Sequence, residues 1–217
     1  MKGLFVKDLL IIRTQIKTIL LICLCGVAMS FAFDSSIVAG YLGIIGTMLA
    51  IGTIGYDEFD NGFSFLFTLP AVRRTYVREK YLFCLLTAVI SVCAGFAISL
   101  VLSLVTPNPV SLSELLLTGL SMLMVGMLFI AFMIPVRVKY NAEKSRTFMY
   151  ILYAAILVTV FGGGKILSLI GVDFSQSVAK LDSMNPYVIL VIIAAIVIAG
   201  VLISERIAER IITKKEF

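Results

Sequence analysis

The sequence predicts an all-α membrane protein: one domain, residues 1–217, with six transmembrane helices and both termini in the cytoplasm. Three observations point there. First, 60% of the residues are hydrophobic, 14% are charged and the mean hydropathy is +1.09. Soluble domains carry about 45–50% apolar and about 25% charged residues, and a soluble fold built from this chain would expose large apolar patches. Second, six apolar runs approach the roughly 20 residues that a helix needs to cross a bilayer core of about 30 Å. Third, the 18 Lys and Arg residues are segregated along the chain.

The spans are read in order as Thr18–Phe33, Ile37–Tyr56, Tyr81–Val105, Leu115–Ile134, Thr147–Gly164 and Tyr187–Ile203. The first is short, and its lower end can extend to Ile16. It is not expected to be a removable leader, because the second span follows almost at once and no clean small-x-small site stands out. Cations decide the orientation. Lys2, Lys7, Arg13 and Lys17 precede span one; Arg73, Arg74, Arg78 and Lys80 follow span two. Arg137, Lys139, Lys144 and Arg146 follow span four, and Arg206, Arg210, Lys214 and Lys215 lie in the tail, 204–217. The turn Asp34–Ser36 and the loop Thr106–Glu114 carry none, and segment 165–186 has only Lys165 and Lys180. Sixteen cations against two place the four cation-rich segments in the cytoplasm. The same split explains the net charge of +5 and the pI of about 9.1 without any nucleic acid partner.

Before span one, residues 1–17 read as a helix of their own or as a snorkelling extension of span one. Phe5, Leu9, Ile12, Ile16 and Ile19 make one apolar stripe, and Lys2, Lys7, Arg13, Thr14 and Lys17 fall opposite. Such a helix lies in the membrane interface with its cations among the headgroups. Span two is rich in glycine. Gly43, Gly46, Gly52 and Gly55, with Gly40, let neighbouring helices approach closely, as dense packing or as a helix beside a translocation path. Residues 165–172 are apolar enough to extend span five or to dip back into the membrane.

Other chemistry is excluded residue by residue. The chain has no histidine, so His-based metal sites and acid–base catalysis are out. No metal site and no catalytic residue is expected. Cys23, Cys25, Cys84 and Cys93 lie in apolar runs and read as small buried hydrophobes rather than disulfides. Gly164-Lys165 is the single Gly-Lys pair, but Thr159 stands where a P-loop needs its first glycine and Ile166 where it needs Ser or Thr. No charge lies near the centre of a span, which argues against an ion-coupled transporter.

Residues 57–80 hold the densest mixed charge. Asp57, Glu58 and Asp60 come directly after span two, followed by an aromatic piece with Phe63 and Phe65, then Thr68-Leu69-Pro70, then the basic run with Arg73 and Arg74 ending in Glu79-Lys80-Tyr81. A plain connector would be short and polar; this one is long and partly apolar, so it packs against something. Pro70 separates its aromatic piece from a new helical start.

This string, Tyr56-Asp57-Glu58 through Thr68-Leu69-Pro70-Ala71-Val72-Arg73-Arg74 to Lys80-Tyr81, resembles the membrane subunit of type-2 ATP-binding-cassette exporters, especially small stand-alone bacterial permeases. The local motif covers about 26 residues, and the six-span count and the N-terminal helix agree along the whole chain. The resemblance implies a bacterial cytoplasmic-membrane protein. Residues 1–17 would be the connecting helix, and 57–69 would contain the coupling helix that docks on a separate ATPase. Asp57, Glu58, Asp60, Phe63, Phe65, Thr68, Leu69, Pro70, Arg73 and Arg74 are the candidate coupling residues. ATP and Mg would be bound by that partner, none by this chain. Two copies, or one copy and a paralogue, would build the pore. The expected cargo is an amphipathic or hydrophobic peptide, toxin or drug. The alternatives are a secondary transporter, or an immunity or sensor protein without ATP coupling.

Overall fold

Hydrocarbon offers a backbone no hydrogen-bond partners, so apolar runs of this length can only satisfy themselves as helices. The computed structural model describes residues 2–32, 35–58, 73–103, 111–140, 144, 147–148, 150–151, 154 and 186–214. Six long helices stand out, and no strand occurs among the described residues. They are α1 Lys2–Thr14, α2 Ile16–Ala32, α3 Ile37–Glu58, α4 Arg73–Ser103, α5 Leu112–Lys139 and α6 Pro186–Lys214. Four of them, α3 to α6, are individually long and apolar enough to cross a membrane. The pair α1 and α2 passes as a fifth only when taken together, and it bends by 62°.

The bend falls at Gln15, between the helices α1 and α2. It divides α1 from α2, the 17-residue helix on which the expected first span falls. The face that turns inward differs from the expected stripe, however. Leu4, Phe5 and Ile12 pack on the core, whereas Leu9 and Ile16 are exposed. Asp8 takes the central inward position, and the polar site described below explains why.

Helix ends also differ from the apolar runs. The basic segment from Arg73 does not form a separate helix; it is the first two turns of the 31-residue α4. The tail likewise continues α6 to Lys214. Apolarity ends at the bilayer edge, but helical hydrogen bonding does not. α5 starts with a capping box in which Ser111 Oγ accepts from the Glu114 N–H and Glu114 Oε2 accepts from the Ser111 N–H. α6 opens on Pro186, whose missing N–H costs nothing in a first turn.

Contacts give the directions. α3 and α4 are antiparallel and approach closely, and glycines permit it. A Cβ on Gly43 would lie 2.6 Å from Val92 Cγ2, one on Gly46 would collide with Ser91, and one on Gly95 would sit 2.7 Å from the Ala39 Cα. Gly126 of α5 sits against Thr47 of α3, and Gly55 of α3 leaves room for the Arg137 guanidinium of α5. Gly52 faces open space. The α3 glycines therefore split into packing positions and one free one.

α3, α5 and α6 all run toward one end, where Asp57, Arg137 and Glu209 lie; α2 and α4 run away from it. This charged end gathers cations from all four of the cation-rich segments. Since α5 and α6 are parallel, the chain regains the opposite end between Lys139 and Pro186. The expected fifth span falls in that interval and lies, apart from a few positions, outside the described residues. So does segment 165–185. A hydrophobic core cluster sits toward the charged end and joins Ile51 and Ile54 of α3, Tyr76, Phe83 and Cys84 of α4, Met133 and Ile134 of α5, and Ala208 and Ile212 of α6. Cys25 and Cys93 are exposed, which corrects their reading as buried hydrophobes; all four cysteines are free.

Candidate functional site

The inward face of α1 would be wholly apolar but for Asp8. Phe5 meets the ring of Phe83 edge-on at 5.3 Å, and Leu4 and Ile12 extend the same contact surface. A carboxylate amid these groups needs a cation, because an unpaired buried charge is costly. Lys80, in the second turn of α4, supplies it. Both side chains are fully buried, at 0% exposure. The Lys80 ammonium donates to Asp8, stands 2.8 Å from Asp57 Oδ2 and donates to Thr53 Oγ1 at 3.2 Å. Its three N–H bonds thus have three acceptors.

Asp57, in the last turn of α3, is equally engaged. Lys7 of α1 donates to its Oδ1, and the Tyr76 hydroxyl donates to Oδ2 at 2.8 Å. Lys7 also lies 3.4 Å from Asp8 Oδ1. Two cations and two carboxylates from three helices therefore form one cluster of balanced charge, buried except at Lys7, whose side chain is 32% exposed. Burial alone would push the Lys80 ammonium down, but Asp57 and Asp8 outweigh it and hold the group above its ordinary range. Burial, with Asp57 behind it, pushes the Tyr76 phenol well up.

Glu79 borders this cluster, before the apolar run that begins at Tyr81. Neither carboxylate oxygen has a hydrogen-bond partner among the described residues. Burial, then the charge of Asp8, pushes its carboxyl up to about 7 against the pull of Lys80 and Lys7.

A second set of contacts ties α4 to α6. Arg78 Nε donates to Glu209 Oε1 at 2.7 Å and lies 3.8 Å from Glu205. Arg73 reaches the carbonyls of Ile212 and Thr213 at 3.5 and 3.4 Å, acceptors left over in the last turn of α6. A third set joins α4, α5 and α6. Pro135 has no N–H, so the carbonyl of Ala131 one turn earlier loses its helical partner. Ser204 donates its hydroxyl to that carbonyl. Ser204 Oγ and Tyr81 Oη are 2.6 Å apart, and since the Ser204 proton is used, Tyr81 is the donor.

Of the residues singled out for docking, Asp57 is turned inward with both oxygens engaged. Glu58 is the last residue of α3, and Arg73 and Arg74 open α4, Arg73 directed at α6 and Arg74 exposed. Asp60, Phe63, Phe65, Thr68, Leu69 and Pro70 lie outside the described residues. The cluster's other members, Lys7, Asp8, Thr53, Tyr76 and Lys80, did not stand out as a site, because their partners lie up to 72 positions away. One signal was available: Asp8 is the only acid in the first 33 residues, among cations and apolar groups.

The arrangement fastens α1, the end of α3 and the start of α4 into one piece. Residues 3–212 match the family model described as "ABC-2 family transporter protein". No curated protein and no solved structure matches the chain.

Proposed function

The chain belongs to the ABC-2 family of transporter proteins and is thereby a membrane permease component rather than the ATPase; on that premise we propose that it exports an amphipathic or hydrophobic substrate, a peptide, toxin or drug, using ATP hydrolysed by a partner subunit. The family implies an ABC ATPase partner and a membrane location. We place it in a bacterial cytoplasmic membrane, as a homodimer or a heterodimer with a paralogue. ATP and Mg belong to the partner.

The observation that carries the reading is the buried cluster. Residues 1–17 resemble a connecting helix, and 57–80 resemble a coupling region. The ion pairs of Lys7 and Asp8 with Asp57 and Lys80 bind the two segments together. A push delivered to the stretch after Asp57 then moves α1, α3 and α4 as a unit, which is how a hydrolysis cycle outside the membrane can switch access within it. In this reading Asp57 and Lys80 hold the joint's shape, while Glu58, Asp60 and the aromatic and Thr-Leu-Pro residues after them meet the ATPase. Family membership favours ATP coupling over a secondary transporter or an uncoupled immunity or sensor protein. The parity of the helix directions supports six spans.

The test is co-expression with a neighbouring ATPase, purification by a tag on this chain, and ATPase measurement in proteoliposomes. The ATPase is expected to co-purify, and Glu58→Arg with Asp60→Arg is expected to lower its stimulation at least about tenfold. Full stimulation in that variant would overturn the joint.

A further inference from the structure

A groove of about 530 Å³ lies between α4 and α6 at the charged end, and none of Lys7, Asp8, Asp57, Tyr76 and Lys80 lines it. Arg74 and Arg78 line it from α4, Arg206 and Arg210 from α6. Glu205 and Glu209 also line it, and both are spent on Arg78. Arg74, Arg206 and Arg210 are exposed and have no ionic partner among the described residues. Four guanidinium groups against two carboxylates leave a local excess of positive charge, with three planar forks free to bind an oxyanion.

Two further facts say what kind of anion. The first is depth. The apolar run of α6 ends at Ile203 and that of α4 begins at Tyr81. At 1.5 Å per residue the four arginines stand about 4–10 Å beyond that boundary, the level of the headgroup layer outside a hydrocarbon core of about 30 Å. The second is what lies beneath. Arg74, Arg78, Leu82 and Leu86 follow one another at four-residue steps on α4, as do Arg210, Arg206, Leu202 and Ile198 on α6. All four of these apolar side chains are more than two-fifths exposed. On each helix the row of arginines at headgroup level continues into exposed aliphatic side chains below, and one of these, Leu202, lines the groove itself. A docking protein has no use for these lower side chains, whereas a phospholipid meets both levels.

We propose that this groove binds an anionic phospholipid, its headgroup phosphate held by Arg74, Arg206 and Arg210 and its acyl chains laid along Leu82, Leu86, Ile198 and Leu202. Basic pockets between membrane helices select anionic headgroups in this way. Glu205 and Glu209 serve to orient Arg78 as one wall. The site shares Arg74 with the candidate coupling residues but takes nothing from the stretch between Glu58 and Arg73, and its lipid readout does not depend on ATP coupling.

The experiment uses the purified full chain in detergent, with thermal unfolding read at increasing phosphatidylglycerol, phosphatidylcholine or inorganic phosphate. Phosphatidylglycerol is expected to raise the unfolding midpoint, and the other two are not. Arg74→Gln/Arg206→Gln/Arg210→Gln is expected to shift the phosphatidylglycerol midpoint concentration at least about tenfold upward. Arg210→Gln alone, an exposed change near the end of α6, gives a smaller shift of the same sign if the triple variant does not insert. Lys139→Gln/Lys144→Gln, which removes two exposed cations outside the groove, leaves the preference intact. An unchanged lipid preference in both groove variants would overturn the proposal. Equal stabilisation by inorganic phosphate would reassign the site to free phosphate. Loss of the co-purifying ATPase with lipid preference intact would assign the groove to a protein partner instead.

Discussion

Lys80 shows how much one residue can hold. Its ammonium is the hub that lets two carboxylates, Asp8 and Asp57, share one dry site. Removing one partner of a buried pair strands the other charge, at a cost of about 3–5 kcal/mol, whereas removing both charges together is often nearly neutral. Lys80→Met is therefore expected to lower unfolding stability in detergent by about 3–5 kcal/mol. Adding Asp8→Leu is expected to recover much of that loss, because Asp57 keeps Lys7 and Tyr76. Equal stability of the single and double variants would sink this account. No local reading of the sequence exposes this dependence: the lysine looks like one of four cations in a basic loop, and its partners arrive from segments 27 and 72 positions away. Asp8 was hidden for the same reason. Helical periodicity put Leu9 on the inward stripe, since hydrophobicity alone cannot reveal a carboxylate whose cation is remote.

At the scale of elements, the four spans carried by α3 to α6 were legible because apolar runs of bilayer length have one stable backbone solution. Their ends were not, because polar residues continue a helix as readily as they stop it. α4 thus begins eight residues before its apolar run, and α6 ends eleven after its own. The junction of α4, α5 and α6 could not be read at all. Pro135 advertises a missing hydrogen bond, but only the fold shows Ser204 supplying it. Ser204→Ala is expected to cost about 1–2 kcal/mol, leaving the Ala131 carbonyl and the Tyr81 hydroxyl without their partner. Pro135→Ala restores an N–H for the Ala131 carbonyl, so the cost of Ser204→Ala should fall by roughly 0.5–1 kcal/mol in that background. Strictly additive effects in a double-mutant cycle would contradict the assignment.

For the whole molecule, the cation count and the helix directions agree independently. The four cation-rich segments meet at one end of the bundle, although nothing in the fold itself refers to a membrane side. Labelling of single cysteines in a background lacking the four native ones tests the placement. Cysteine at Lys214 is expected to react only with reagent on the cytoplasmic face, and cysteine at Ser113 only from outside. Reaction of both from one face would remove the topology. The stretch between Glu58 and Arg73, where the docking residues are expected, is the part of the site that sequence resemblance alone describes.

The lengths of α4, α5 and α6 carry a mechanical consequence. Helices of 31, 28 and 29 residues measure about 42–46 Å, longer than the roughly 30 Å of hydrocarbon they cross. Each is a stiff rod whose charged tip stands clear of its fulcrum in the bilayer. A tilt of about 10° about the midplane moves such a tip by about 4 Å, comparable to one helical turn. With the tips of α3 and α4 clamped to α1 by ion pairs and that of α6 to α4 by arginines, a small rotation becomes a shared stroke, and leverage rather than deformation delivers it.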